Sequence, residues 1–151
     1  LIRRDEMKAD CGEMMYRINC LAWELDSIYH QAALKMGMSD SVMFVMYIVY
    51  QGKGRCLLHD IRKNTGISKQ TLNSALRKLE KDGIIFLEQS GGKTKTVCFT
   101  VKGRDYAANT VGRLFDAECS VFMHWTQEEI DSYMHLTAKY NSDLKRQTEA
   151  L

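Results

Sequence analysis

The stretch from Ser68 to Thr100 constrains this chain more than any other. With about 100° of turn per residue, Leu72, Ala75, Leu76 and Leu79 fall on one arc of a helix, and Gln70, Asn73, Ser74, Arg77, Lys78 and Lys81 on the opposite arc. Ser68 is a helix-capping residue and Gly83 a helix terminator. Beyond it, Ile84 to Gln89 and Lys95 to Thr100 have strand character, joined by Ser90-Gly-Gly-Lys-Thr94, a hairpin with a glycine tip. His59 to Thr65, ended by Gly66, reads as a short helix just before. Short helix, glycine turn, capped helix and hairpin, in that order, make a helix-turn-helix with a wing.

The flanks are read as helical. All 151 residues lack proline, which favours long helices with short joins. Asp5 to Lys35 carries Cys11, Met14, Ile18, Leu21, Leu25, Ile28 and Ala32 at helical spacing, and Tyr16, Cys20 and Trp23 widen that stripe. So broad an apolar surface predicts packing against a second subunit as well as against the chain's own core. Gly37 closes this helix, and Ser39 or Asp40 can cap the next. Val42 to Tyr50 has no period to read and could be buried strand or buried helix; the cap and the Met and Phe content favour helix. Gln51 to Gly54 is a turn and Arg55 to Leu57 a short strand. Thr100 is expected to cap a helix running to about Met123, with Tyr106, Val111, Leu114, Phe115 and Phe122 as its apolar side. Thr126 to Glu129 is a capping box that opens a last helix bearing Ile130, Tyr133, Met134, Tyr140 and Leu144. The expected fold class is mainly α with a small β-hairpin wing, a winged helix-turn-helix flanked by N- and C-terminal dimerisation helices.

Charge separates the middle from the ends. Between Gln51 and Arg104 there are 12 Lys or Arg against 4 acids, a net of +8, whereas the flanks hold 9 basic and 15 acidic residues, a net of −6. A basic middle between acidic ends is the footprint of a polyanion partner. Hydrophobic residues at 45% and charged ones at 26% exclude a disordered chain or a collagen-like fibre. The longest wholly apolar run, Val42 to Tyr50, is too short to span a bilayer, and no charged-then-apolar leader opens the chain. A cytoplasmic protein without a membrane partner is expected. The five cysteines form no C-x-x-C pair and read mostly as small apolar core residues. His30, His59, His124 and His135 have no metal-ligand spacing, and there is no phosphate loop or nucleophile motif, so neither a metal, a cofactor nor an enzyme is expected.

The run Ile67-Ser-Lys-Gln-Thr-Leu-Asn-Ser-Ala-Leu-Arg-Lys-Leu-Glu-Lys-Asp-Gly-Ile-Ile85 resembles the recognition helix of the MarR family, the multiple-antibiotic-resistance-type regulators. Phe99-Thr-Val-Lys-Gly103 is similar to the family's Leu-Thr-x-x-Gly, and Gly37-Met-Ser39 to the Gly-Leu-Thr before its second helix. The resemblance implies a single domain over 1–151, with dimerisation helices over about 1–37 and 104–151 and a DNA-binding lobe over about 38–103. It implies a homodimeric transcription regulator, usually a repressor, on a near-palindromic duplex DNA operator. By position, Ser68, Lys69, Gln70, Thr71, Asn73, Ser74 and Arg77 match the DNA-contacting helix, with Lys93 and Lys95 on the wing. Where the family's wing carries Asp-x-Arg, this chain has Gly91 and Lys93, which implies wing contacts mainly with phosphate.

The family also binds small amphipathic, often phenolic, effectors. Tyr16, Trp23, Met43 and Met46 are the residues that would line such a pocket here. Some members sense oxidants through a first-helix cysteine, which keeps redox sensing by Cys11 or Cys20 as an alternative. The other alternative is a winged helix that serves as a protein-interaction module without DNA.

Overall fold

Among the described residues seven helices and three short strands follow one another, one helix more than the patterning predicts. The computed structural model describes residues 2–89, 91–92, 94–149 and 151, with side chains from Asp10 onward. In order they are α1 (Ile2–Lys35), α2 (Asp40–Gln51), β1 (Arg55–Leu57), α3 (Leu58–Thr65), α4 (Lys69–Lys81), β2 (Ile85–Gln89), β3 (Lys95–Phe99), α5 (Val101–Asn109), α6 (Val111–Phe122) and α7 (Gln127–Thr148). They form two compact units, Leu1–Gly112 and Arg113–Leu151.

The ambiguous apolar run becomes a helix because it is capped and buried. Ser39 sits in extended backbone and its Oγ accepts from the Val42 amide at 3.4 Å. Val42, Met43, Val45, Met46 and Val49 then enter the core of the first unit. Against them lie Leu72, Ala75, Leu76 and Leu79 of α4. Burial of each of the leucines contributes about 1.5–3 kcal/mol. Ile61, Val97, Phe99 and Ala107 are buried in the same unit.

Arg55–Leu57 gains a partner that three residues of sequence could not reveal. β3 is the central strand of an antiparallel sheet ordered β1-β3-β2, with Arg55 opposite Cys98 and Leu57 opposite Thr96. On the other edge Ile85 faces Phe99 and Gln89 faces Lys95. The hairpin is therefore anchored along its β3 side by β1. Arg55 and Glu88, on the two outer strands, join in an exposed ion pair across the sheet.

Thr100 joins the end of β3 to both neighbouring elements. Its amide donates to the Ile84 carbonyl at 3.0 Å and its hydroxyl to the Gly83 carbonyl at 2.6 Å. The same oxygen accepts from the Gly103 amide at 2.9 Å, which caps α5. Gly103 packs so closely on this junction that a Cβ would stand 1.9 Å from the Ile84 carbonyl oxygen.

The long helix expected from Thr100 to about Met123 is broken at Thr110. There the hydroxyl donates to the Tyr106 carbonyl at 2.7 Å, while the amide bonds to the Ala107 carbonyl at 3.2 Å. The side chain has taken the acceptor that the next helical turn would use. Of the apolar side expected for this helix, Val111 is buried, whereas Tyr106 and Phe122 remain exposed.

The cysteines are another correction. Cys98 alone of the five is buried; Cys20 and Cys56 are half-buried, and Cys11 and Cys119 exposed. α1 reaches the core of its unit near its C-terminal end, through Ala33, so the positions of Cys11 and Cys20 carry no core. Burial, then the Asp60 charge, pushes the Cys56 thiol above its ordinary value. On α1, Met14, Leu21, Trp23, Leu25 and Ile28 are all exposed in the isolated chain.

In the second unit the expected capping box closes in both directions, Thr126 Oγ1 accepting from the Glu129 amide and the Glu129 carboxylate from the Thr126 amide. Those bonds from Thr126 hold the Glu129 carboxyl below its ordinary value. Trp125 packs edge-on against Phe122 and Tyr133, with ring centroids 5.3 and 5.6 Å away. Among the described residues no single helix is long and apolar enough to cross a membrane.

Gly103→Ala should lower unfolding free energy by more than about 2 kcal/mol, because the Cβ must displace backbone rather than a flexible side chain. Thr100→Val should cost about 1–2 kcal/mol through the lost cap and buried hydroxyl bond. Urea unfolding followed by circular dichroism ranks the two.

Candidate nucleic-acid interface

α4 carries its chemistry on the face that its core contacts leave outside. Leu72, Ala75, Leu76 and Leu79 fix the rotation of the helix, so Lys69, Gln70, Asn73, Ser74 and Arg77 are all exposed. Gly66, in the left-handed conformation at φ 63°, ends α3 and lets the chain turn into Ser68. Thr65 tightens the turn by accepting from the Ile67 amide at 3.3 Å and donating to the Ile61 carbonyl at 2.8 Å.

The hydroxyls at the start of α4 have structural duties. Ser68 Oγ accepts from the Thr71 amide at 3.1 Å and lies 2.8 Å from the Thr71 hydroxyl. Ser74 donates to the Gln70 carbonyl at 3.1 Å, which leaves its oxygen lone pairs for an outside donor. Lys69, Gln70, Asn73 and Arg77 present longer side chains to solvent. Amides of Gln and Asn can pair in two places with adenine, and a guanidinium with guanine. Lys78 is tied to Asp82 at 3.0 Å, one turn further on.

Beside this face lies a cleft of about 440 Å³ between α3, α4 and the hairpin. Leu58 and Leu72 contribute apolar surface, and Arg62, Lys69 and Lys95 bring a cation from each of the three elements. No carboxylate is among its lining residues. The helix and wing patterns single out Lys69 and Lys95 but not His59 and Arg62, which also line it. Their charges were visible in the sequence; their convergence with α4 needed the α3 turn and the β1–β3 pairing.

At the tip, Gly91 and Gly92 both have positive φ, 86° and 56°, as a tight turn requires. The Thr94 amide closes it on the Gly91 carbonyl at 3.2 Å, and Lys95 follows, exposed, at the start of β3. Lys93 lies outside the described residues.

The chain was compared with known proteins. A model of the MarR family matches residues 36–94, from the turn before α2 to the tip of the hairpin. Over those residues the chain is similar to the MarR family. An uncharacterized HTH-type transcriptional regulator, YwhA of Bacillus subtilis (strain 168), is 28% identical over 98 residues, which is 64% of this chain and 70% of that one. The MarR family regulator NMB1585 from Neisseria meningitidis superposes with a TM-score of 0.73 at 17% identity, covering 93% of this chain and 97% of that one. A putative MarR family regulator from Listeria monocytogenes, solved in complex with 26mer DNA, gives 0.66 at 19% identity over 86% of this chain and 87% of that one.

Of the effector-lining set, Met43 and Met46 are 1% and 0% exposed, locked into the core by α2. Tyr16 and Trp23, at 66% and 61%, stand on the open surface of α1. The single chain therefore does not gather the four around one cavity. The methionines are used up as core because α2 is buried on more than one side. Among the described residues no three His, Cys, Asp or Glu side chains gather as a metal site.

Ser68→Ala should cost about 1 kcal/mol and fray the first turn of α4. Native-state hydrogen exchange should then show the Thr71 amide losing protection while Leu76 and Leu79 keep theirs.

Proposed function

We propose that this chain is a dimeric transcription regulator that reads duplex DNA through α4, acting as a ligand-responsive repressor. The observation that carries the DNA reading is the exposed row of Lys69, Gln70, Asn73 and Arg77 on a helix held rigidly from behind, beside a cleft lined by cations and no carboxylate. The local net charge of +8 supplies attraction to any duplex, and base-edge contacts from α4 supply preference. Ser68 and Thr71 contribute by fixing the helix start, and Ser74 as an acceptor. Lys93 and Lys95 at the wing, lacking the family's Asp-x-Arg, hold phosphate. The similar Listeria regulator was solved with 26mer DNA, which supports the same partner here.

Dimerisation follows from apolar side chains that each unit leaves uncovered. α1 exposes Leu21, Trp23 and Ile28, and α7 exposes Met134, Leu136 and Leu144. Monomers in water do not usually leave rows of this size open. A two-fold pair of α4 helices then meets two half-sites about one helical turn apart on a near-palindrome. A small amphipathic effector would act by shifting the population of DNA-competent dimers, at a pocket completed by the α1 surface that carries Tyr16 and Trp23. Sedimentation equilibrium should give twice the chain mass of 17.4 kDa, and Leu21→Asp with Ile28→Asp should shift it to monomer.

Fluorescence anisotropy on DNA from upstream of the gene, against a scrambled duplex, tests the DNA reading. Wild type should prefer the upstream duplex, and Arg77→Ala should lose about 1–3 kcal/mol of that preference. Binding to neither duplex at low salt would overturn it and favour the protein-interaction reading.

A further inference from the structure

We propose that the cavity between the α1–α2 turn, the C-terminal end of α4 and the start of α5 binds a small unbranched carboxylic acid, its chain inside and its carboxylate between Lys78 and Lys102. The cavity measures about 250 Å³, and all of its lining residues belong to the first unit. Room of this size suits a chain of about six carbons and falls below the ordinary range for drug-sized ligands. The inference goes beyond the reading above. The site is complete in one chain and takes nothing from Tyr16, Trp23 or a second subunit.

The floor of the cavity is aliphatic. Met38, Val42, Leu79 and Ile84 line it, and each is no more than 6% exposed. Their side chains offer no hydrogen-bond donor, so an apolar chain that displaces water from them is favoured, and the flexible Met38 can adjust to its shape. Tyr106 alone of the lining residues is aromatic, which leaves a ring-shaped ligand only one partner to stack on. Charge is confined to the rim. Lys78 donates to the Asp82 carboxylate at 3.0 Å and Lys102 to the Asp82 carbonyl at 2.7 Å. The two ammoniums, one from α4 and one from α5, therefore converge on a single residue. An ammonium has three donors, so each keeps donors for a ligand carboxylate after its bond to Asp82. Two cations against one carboxylate leave the rim positive, which selects an acid over an amine.

The experiment titrates the whole methyl-labelled chain, without DNA, with hexanoate, butyrate and hexanol, and follows the methyl NMR signals. Hexanoate should shift the methyls of Met38, Val42, Leu79 and Ile84 and leave those of Leu21 and Leu144 in place. Butyrate, shorter by two methylenes, should bind about 15-fold more weakly. Hexanol, of equal length without the charge, should bind about tenfold more weakly. Lys78 and Lys102 are exposed, so their substitution leaves the core intact. Lys78→Gln and Lys102→Gln should each weaken hexanoate about tenfold and leave hexanol unchanged, whereas a merely structural role for either lysine would weaken both. Lys102→Arg should retain hexanoate binding. Leu21→Asp with Ile28→Asp, the pair expected to give monomers, should bind hexanoate as wild type does. Absence of shifts at the four floor residues would overturn the proposal. So would hexanol binding as tightly as hexanoate, or loss of hexanoate binding in the monomeric variant.

Discussion

The hydroxyl of Thr100 is the point on which the geometry of α4, the hairpin and α5 depends. It donates to the carbonyl of Gly83, where α4 has just ended, and accepts from Gly103, where α5 has just begun. The Thr100 amide fixes Ile84 at the start of β2. α4, the hairpin and α5 are thus bound at one residue, and Lys102 adds a bond from its ammonium to the Asp82 carbonyl at 2.7 Å. A residue without a hydroxyl would leave carbonyls unsatisfied, and a side chain at position 103 would push α5 off Ile84. The Thr-x-x-Gly spacing is a packing requirement before it is a family signature.

From that junction the rest is positional. α4 is set by its four buried side chains against α2, and its outer face is whatever the helix period leaves over. β3 is held by β1 on one edge and by β2 on the other, which brings Thr94 and Lys95 to the side on which α3 and α4 lie. The cations of the cleft owe their proximity to these two constraints together. Their separation from the acidic flanks along the chain is what makes this surface basic.

Some readings succeeded because the signal was local. Ser39, Ser68, Thr100 and Thr126 each accept from an amide three residues on, a bond formed within one turn and legible as a side-chain type at a spacing. The exposed set on α4 was legible for the same reason, since a period of 3.6 residues sorts a helix into two faces without knowledge of its neighbours. What the sequence left open or misread was non-local. Three residues at Arg55 carry no evidence of a partner some 40 positions away at Cys98. Cys11 and Cys20 look apolar enough for a core, yet α1 passes beyond the core at that point.

The break at Thr110 stands between these cases. A threonine in a helical pattern signals little, because its hydroxyl can follow the helix or compete with it. Here it captures the Tyr106 carbonyl, and the two buried residues that follow, Val111 and Gly112, start α6. Sequence by itself determined the caps, the helix and strand identities of the lobe, the polar face of α4 and the basic middle of the chain, since each is a property of neighbours within about a turn or of summed charge. Tertiary structure alone decided that β1 completes the sheet, that Met43 and Met46 are core rather than pocket wall, and that Arg62 and His59 join Lys69 and Lys95 in one cleft. Those outcomes depend on which distant surfaces meet, and a linear pattern carries no record of that meeting.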